Sequence, residues 1–223
     1  QAVTYSLTSE ELSQKFALKV EETTKLLMPM SEERTTLRQS LIPHLVESAS
    51  YNIARKADSV GLYEIGSVFL GQTDEGLPYE EEHLALILTG KWLDHSWQGE
   101  KRNVDFFVAK GIVEGLFDKL GLVDRVSFEK GAVDGLHPGQ TAIIKLDGEK
   151  IGIIGGLHPA ERKKVDLKET YVAELNLYAI LQATTEALVY TPVPRFPMIT
   201  RDIALELERT TPAGEIESII RNA

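Results

Sequence analysis

The chain has 223 residues, 43% hydrophobic and 26% charged, which suits one large core or a core plus a smaller piece. Its formal net charge of -10 argues against wrapping nucleic acid on a broad basic face, so any RNA contact must be a local cluster. With no cysteine, there is no disulfide, no thiolate nucleophile and no Cys-based zinc site. No apolar run is long enough to span a membrane, and the start, Gln1 to Ser6, has no basic segment of a signal peptide.

Thr8 or Ser9 followed by Glu11 predicts a helix start, with Leu12 and Phe16 as its apolar stripe. Thr35 to Gln39 is short and β-compatible. Ser40 can cap the next helix, and Pro43 fits its first turn. Ile42, Leu45, Val46, Ala49 and Ile53 fall on one helical face. Val60 to Leu70 reads as a strand, and the apolar run Leu84 to Leu88 as a buried one. Trp92 and Trp97 flank a polar loop.

Val104 to Leu120 predicts a helix with Phe107, Ile112, Leu116 and Leu120 on a shared face and Gly121 as its stop. Val126 to Phe128 starts a strand. Thr141 to Leu146 and Lys150 to Ile154 flank Asp147-Gly148, a hairpin signal. Tyr171 to Leu175 is a further strand, and Asn176 can cap a short helix after it. Strands cluster with a few helices, without regular βαβ alternation. This predicts an α+β fold, an antiparallel sheet with helices on one face.

A boundary is expected near Tyr190 to Pro197, where Pro192, Pro194 and Pro197 force an extended linker. Residues 1–189 would form the main module and 190–223 a second segment, with a strand at Ile203 to Leu207 and a helix that Pro212 helps start. The ends, Gln1 and Ala223, look like cuts in a longer protein. Gly135-Leu136-His137-Pro138 and Gly156-Leu157-His158-Pro159 echo each other. Two His could suggest a metal, but no third ligand stands at a recognisable spacing, so strand-end turns before Pro are the preferred reading.

Four blocks occur in order: Met28-Pro29-Met30-Ser31-Glu32-Glu33 through Leu37-Arg38-Gln39-Ser40-Leu41-Ile42-Pro43 to Glu64-Ile65-Gly66; Val104 to Gly111; His137-Pro138-Gly139 to His158-Pro159; and Arg195-Phe196-Pro197 with Arg201-Asp202-Ile203-Ala204. Together they resemble the C-terminal half of the β chain of the bacterial phenylalanine–tRNA ligase family. The resemblance implies a class II aminoacyl-tRNA synthetase-like antiparallel sheet flanked by helices, then the truncated start of a ferredoxin-like anticodon-binding domain. One strand and one helix are too little for a stable ferredoxin-like unit, so that segment is expected to be disordered or docked on the main body.

Active class II enzymes hold ATP phosphates with arginines and Mg²⁺. The stretch matching their glycine–arginine motif, Tyr171 to Leu181, has neither glycine nor arginine. Glu174 would repel a phosphate there if it faces the cleft. The implied module therefore has no catalytic residues, no metal ligands and no cofactor of its own; ATP and Mg²⁺ belong to the whole enzyme. Arg38 is either a relic of a phosphate-contacting arginine or, more plainly, half of a structural ion pair. Glu64 either lines a cleft or is a solvated or paired strand residue. Lys163-Lys164 reads as a solvated turn.

The implied partners are a catalytic α subunit in an α2β2 tetramer and tRNA(Phe), in the cytoplasm, with neither membrane nor DNA. Arg195 and Arg201 are the tRNA-contact candidates, against plain surface charge. Ile42, Leu45, Ala49 and Tyr51 are subunit-interface candidates, against internal packing. Two other readings stand beside this non-catalytic subunit: an independently active class II ATP-dependent ligase, and an unrelated acidic α+β oligomerisation module.

Overall fold

The computed structural model describes residues 1–94, 97–183, 190, 192–193, 195–208 and 211–221. The strands are β1 (Leu7–Thr8), β2 (Thr36–Leu37), β3 (Ser59–Gln72), β4 (Pro78–Asp94), β5 (Lys101–Asn103), β6 (Val126–Lys130), β7 (Leu136–Leu146), β8 (Glu149–Leu157) and β9 (Thr170–Asn176). The helices are α1 (Glu10–Ser13), α2 (Ile42–Ala54), α3 (Phe106–Lys119), α4 (Pro159–Lys164), α5 (Leu177–Gln182) and α6 (Ala213–Arg221). The chain divides into two compact units, 1–186 and 187–223. Among the described residues no helix is long and apolar enough to cross a membrane.

The first unit is built on a seven-stranded sheet in the order β3-β4-β9-β8-β7-β6, with β5 paired to β4. Every pairing in it is antiparallel. The fold is therefore α+β with an antiparallel sheet. Asp147 and Gly148 turn β7 into β8 with φ of 52° and 85°, the left-handed pair that a two-residue hairpin turn requires. The small pair β1-β2 stands apart from the large sheet.

Helices cover both faces of the large sheet, not one. Alternation along β4 and β9 explains why. Ala85, Ile87 and Val172 point to a core shared with Ile42, Leu45, Val46 and Ala49 of α2. Leu88, Ala173 and Leu175 point the other way, to a core shared with Val108, Ala109, Val113 and Phe117 of α3 and Ile180 of α5. Strands buried on both sides need apolar residues at both parities, which is what made Leu84 to Leu88 a continuous apolar run.

Local differences from expectation have local causes. Ser9 caps α1, its side chain accepting from the Leu12 N–H, but α1 is a single turn. Phe16 lies beyond it with φ 62° and reaches the core from a left-handed backbone, so it belongs to no helical stripe. Asp105 caps α3. The buried stripe of α3 is Val108, Ala109, Val113 and Phe117, while Phe107 is 74% exposed; its +5 step to Ile112 lies off the helical period. Trp92 sits within β4; residues 95 and 96 of the expected loop lie outside the described residues.

In the second unit α6 follows Pro212 as expected, but Ile203 to Leu207 forms no strand. A strand exists only through ladder hydrogen bonds to a neighbour, and none of the described residues supplies one. Of the expected linker, Pro192 and Pro197 are described, without regular structure, and Pro194 lies outside the described residues.

Candidate functional site

Two buried polar networks anchor the segment that leads into α2. In the first, Arg38 Nη1 lies 3.0 Å from Glu64 Oε1, with side-chain exposures of 4% and 2%. The guanidinium also donates to the Ser67 carbonyl (3.0 Å) and the Thr4 hydroxyl (2.8 Å). Glu64 accepts from the Thr4 N–H and hydroxyl. Arg38 Nε and Nη1 and both Glu64 oxygens thus find partners inside the protein, as burial demands. The structural ion pair is the reading that holds for Arg38. Its partner is the other strand candidate, Glu64.

The second network joins α2 to the middle of the sheet. Ser40 donates to Glu174 Oε2 at 2.5 Å, and the Leu41 N–H donates to both Glu174 oxygens. His83 Nδ1 meets Glu174 Oε1 at 2.7 Å, and its Nε2 faces Glu81 at 3.4 Å. Burial opposes charge on His83, but the hydrogen bonds to Glu174 and Glu81 outweigh it and raise its pKa to about 9. His83 is therefore an imidazolium at neutral pH. Leu41, not Ser40, is the residue preceding α2; the Ser40 hydroxyl still accepts from the Ile42 N–H at 3.1 Å. Glu174 places a carboxylate at the positive end of α2, where the helix dipole favours it.

Serine, histidine and carboxylate together do not make a hydrolytic triad here. The carboxylate stands between the other two, so the histidine cannot take the serine proton. All three are at most 1% exposed, out of reach of a substrate. His44, on α2 near Arg38, is held below its usual pKa by burial and then by the Arg38 charge. Its buried Nδ1 has no hydrogen-bond partner.

The opposite face of the sheet carries a cleft of about 560 Å³ between β3, β4 and α3. Tyr63, Ile65, Trp92, Ile112 and Leu116 are among its walls, with Ala173 and Leu175 on its floor. None of its lining residues is charged. Glu174 does not face this cleft: alternation turns it to the α2 side, between Ala173 and Leu175. The expected repulsion of a phosphate by Glu174 therefore does not operate. Among the described residues lining this cleft none offers a cation to a phosphate or a carboxylate to a metal, so they do not fit ATP or Mg²⁺.

The His-Pro echo has a structural cause. His137 Nδ1 accepts from the Gly139 N–H at 3.0 Å, and His158 Nδ1 accepts from the Ala160 N–H at 3.2 Å. Each imidazole closes its own turn, and His158 thereby caps α4. Among the described residues no group of three or more His, Asp or Glu is placed to hold a metal ion. Lys163 and Lys164 lie in the last turn of α4, Lys164 paired with Glu161 at 3.1 Å.

Ile42, Leu45 and Ala49 are fully buried within the chain, which is the internal-packing reading of that face. Tyr51, on the outer side of α2, is 58% exposed, with the Arg55 guanidinium 3.3 Å from its ring centre. Arg195 and Arg201 are exposed and lie in the second unit. The sequence reading missed His83. A signal existed: it shares strand parity with buried Ala85 and Ile87, which makes it a polar group at a core-facing position.

The family description "Phenylalanyl tRNA synthetase beta chain CLM domain" matches residues 1–177. The chain belongs to that family. Curated relatives agree across its whole length. The chain is 52% identical over 223 residues to the phenylalanine–tRNA ligase beta subunit of Bacillus subtilis, and 53% identical over 223 to that of Geobacillus kaustophilus. It is 50% identical over 222 residues to that of Staphylococcus haemolyticus. In each case the whole chain is covered but only 28% of the relative. These overlaps measure a share of length and do not bear out the C-terminal placement expected from the motifs. Membership in the family removes the unrelated acidic module from consideration.

Proposed function

We propose that this chain is a structural, non-catalytic module of a phenylalanine–tRNA ligase β subunit. It takes a class II synthetase-like core as its frame, with residues 1–189 as that module. It assembles with the catalytic α subunit in an α2β2 enzyme and helps position tRNA(Phe) during ATP-dependent phenylalanylation in the cytoplasm. Residues 190–223 would begin the ferredoxin-like anticodon-binding domain, with Arg195 and Arg201 reaching the tRNA. ATP and Mg²⁺ act in the whole enzyme, away from this chain.

The observation that carries the reading is how the charged groups of the sheet are used. Arg38, Glu64, His83 and Glu174 are all consumed in buried structural pairs. The apolar cleft between β3, β4 and α3 has, among the described residues, no charged lining residue to hold a nucleotide or an amino acid. Binding both would require paired charges facing the cavity.

The test is reconstitution from full-length subunits. The β subunit alone should show neither phenylalanine-dependent pyrophosphate exchange nor saturable ATP–Mg²⁺ binding. Adding the α subunit should give a stable complex that charges tRNA(Phe). Exchange by the β subunit alone would overturn the non-catalytic reading.

A further inference from the structure

Two helices begin beside the C-terminal end of β9 and serve opposite faces of the sheet. The apolar stripe of α2 fills one core, and Ile180 of α5 joins the other. A continuous line of hydrogen bonds connects their first turns. The Ser40 hydroxyl and the Leu41 N–H donate to Glu174. Glu174 Oε1 meets His83 Nδ1 at 2.7 Å, and His83 Nε2 faces Glu81 Oε2 at 3.4 Å. The same Glu81 oxygen accepts from Asn176 Nδ2 at 2.6 Å. Asn176 Oδ1 accepts in turn from the Ala179 N–H and so caps α5.

His83 stands in the middle of this line. An imidazolium donates through both ring nitrogens, whereas a neutral imidazole keeps a single N–H. That last proton belongs on Nδ1. The Glu174 contact is the shorter of the two, and Glu174 is fully buried, with no water to replace a lost donor. The Glu81 side chain is 22% exposed and within reach of water. Neutral His83 therefore turns the Nε2 lone pair toward a carboxylate, and the line is cut at one link, between His83 and Glu81.

The neighbouring elements leave this choice to the two carboxylates. On β9, Asn176 lies directly opposite His83 and is neutral. On β3, the residue opposite is Gly66, and the space beside it holds Arg38 and Glu64, which balance each other. The entry to α2 reaches His83 only through Glu174. The one ionisable side chain of α5 is Tyr178, which is exposed. Lys19, paired with Glu21 at 2.6 Å, also feels the Glu81 charge.

We propose that Ser40, Glu174, His83, Glu81 and Asn176 form a proton-dependent latch that couples the first turn of α2 to the first turn of α5 across the sheet. The raised His83 pKa of about 9 sets its direction. The latch is closed while His83 carries its second proton and opens as pH rises through that value. Opening frees Glu81 and loosens the Asn176 cap on α5. The Glu174 anchor of α2 stays in place.

Amide hydrogen exchange of the intact protein tests the latch, read by mass spectrometry on peptides covering α2 and α5 and corrected for the intrinsic effect of pH. Between about pH 7 and 10, α5 should lose roughly fivefold more protection than α2, the weight of one hydrogen bond. Glu81→Gln supplies an amide that can accept from Asn176 and donate to neutral Nε2, so the extra loss in α5 should vanish. Glu174→Gln does not touch α5, yet it should move the midpoint of the α5 loss down by about a unit or more. Equal losses in α2 and α5 would overturn the latch as general alkaline weakening of the fold. It would also be overturned by an extra α5 loss that persists in folded Glu81→Gln, or by an unmoved midpoint in folded Glu174→Gln. If neither variant folds, the comparison of α5 with α2 in the native sequence decides alone.

Discussion

Arg38 and Glu64 are 26 residues apart in the chain and form a fully buried ion pair, with Nη1 and Oε1 separated by 3.0 Å. One comes from the approach to α2, the other from the edge strand β3. The pair fastens the helix entry to the sheet, and the hydroxyl of Thr4 bridges both partners.

Truncating one partner leaves the other charge buried without compensation. Arg38→Met should therefore lower stability by about 3–5 kcal/mol. Arg38→Met with Glu64→Leu should lose much less than the sum of the two single changes. Urea denaturation of the three variants checks this through the double-mutant cycle. Additive losses would mean that the pair contributes nothing as a pair.

Gly66 lets this arginine pass. A Cβ there would stand 2.6 Å from Arg38 Nη2, closer than real contacts allow. Gly66→Ala should displace the guanidinium and cost roughly 1–3 kcal/mol, the usual range for overpacking a filled site. In an Arg38→Ala background the same change should cost little. Thermal unfolding of the single and double variants decides; an equal cost in both backgrounds would place the strain elsewhere.

His83 gives the fold a dependence on alkaline pH. Its folded pKa of about 9 lies above the ordinary value of 6.5, so folding favours the protonated form. The stabilisation is complete below about pH 6.5 and drains away as pH rises through 9. Its full size is on the order of 3 kcal/mol, from the shift at about 1.4 kcal/mol per unit. The denaturation midpoint should fall between pH 6 and 9.5 in the native sequence, and fall less in His83→Gln. Parallel pH profiles for the two would remove His83 as the cause.

Glu174 is the main group that holds the proton on His83. Glu174→Gln keeps the shape but removes the charge, while burial continues to oppose an imidazolium. The His83 titration, followed by imidazole NMR shifts, should move down by about a unit or more. A titration still centred near its native value would give the main role to Glu81.

Local chemistry was legible in the sequence. The Asp147-Gly148 turn, the cap that Asn176 provides to the Ala179 N–H at 2.8 Å, and the apolar stripe of α2 all follow from spacing and residue type. The pairing of the α2 entry with the sheet was legible only in part. Arg38 and Glu64 each stood out, yet period-2 patterns do not say which strands become neighbours. Glu174 was noticed for its charge, but which face of β9 it occupies depends on where α2 and α3 pack. Helices on both faces follow from the double burial of β4 and β9, which one apolar run suggests without assigning sides. Ile203 to Leu207 shows the limit in the other direction: an alternating pattern prepares a strand, and a neighbouring strand must complete it.

The anchoring of α2 also sets an order of events at the ribosome. Ser40 and Glu174 are separated by 134 residues. At elongation rates of about 5–20 residues per second the carboxylate emerges roughly 7–27 s after the serine. Throughout that interval the apolar stripe of α2 has no completed sheet to close over it. The nascent chain is thus obliged to hold a sticky amphipathic helix in waiting, and chaperone demand during synthesis should peak before β9 leaves the exit tunnel.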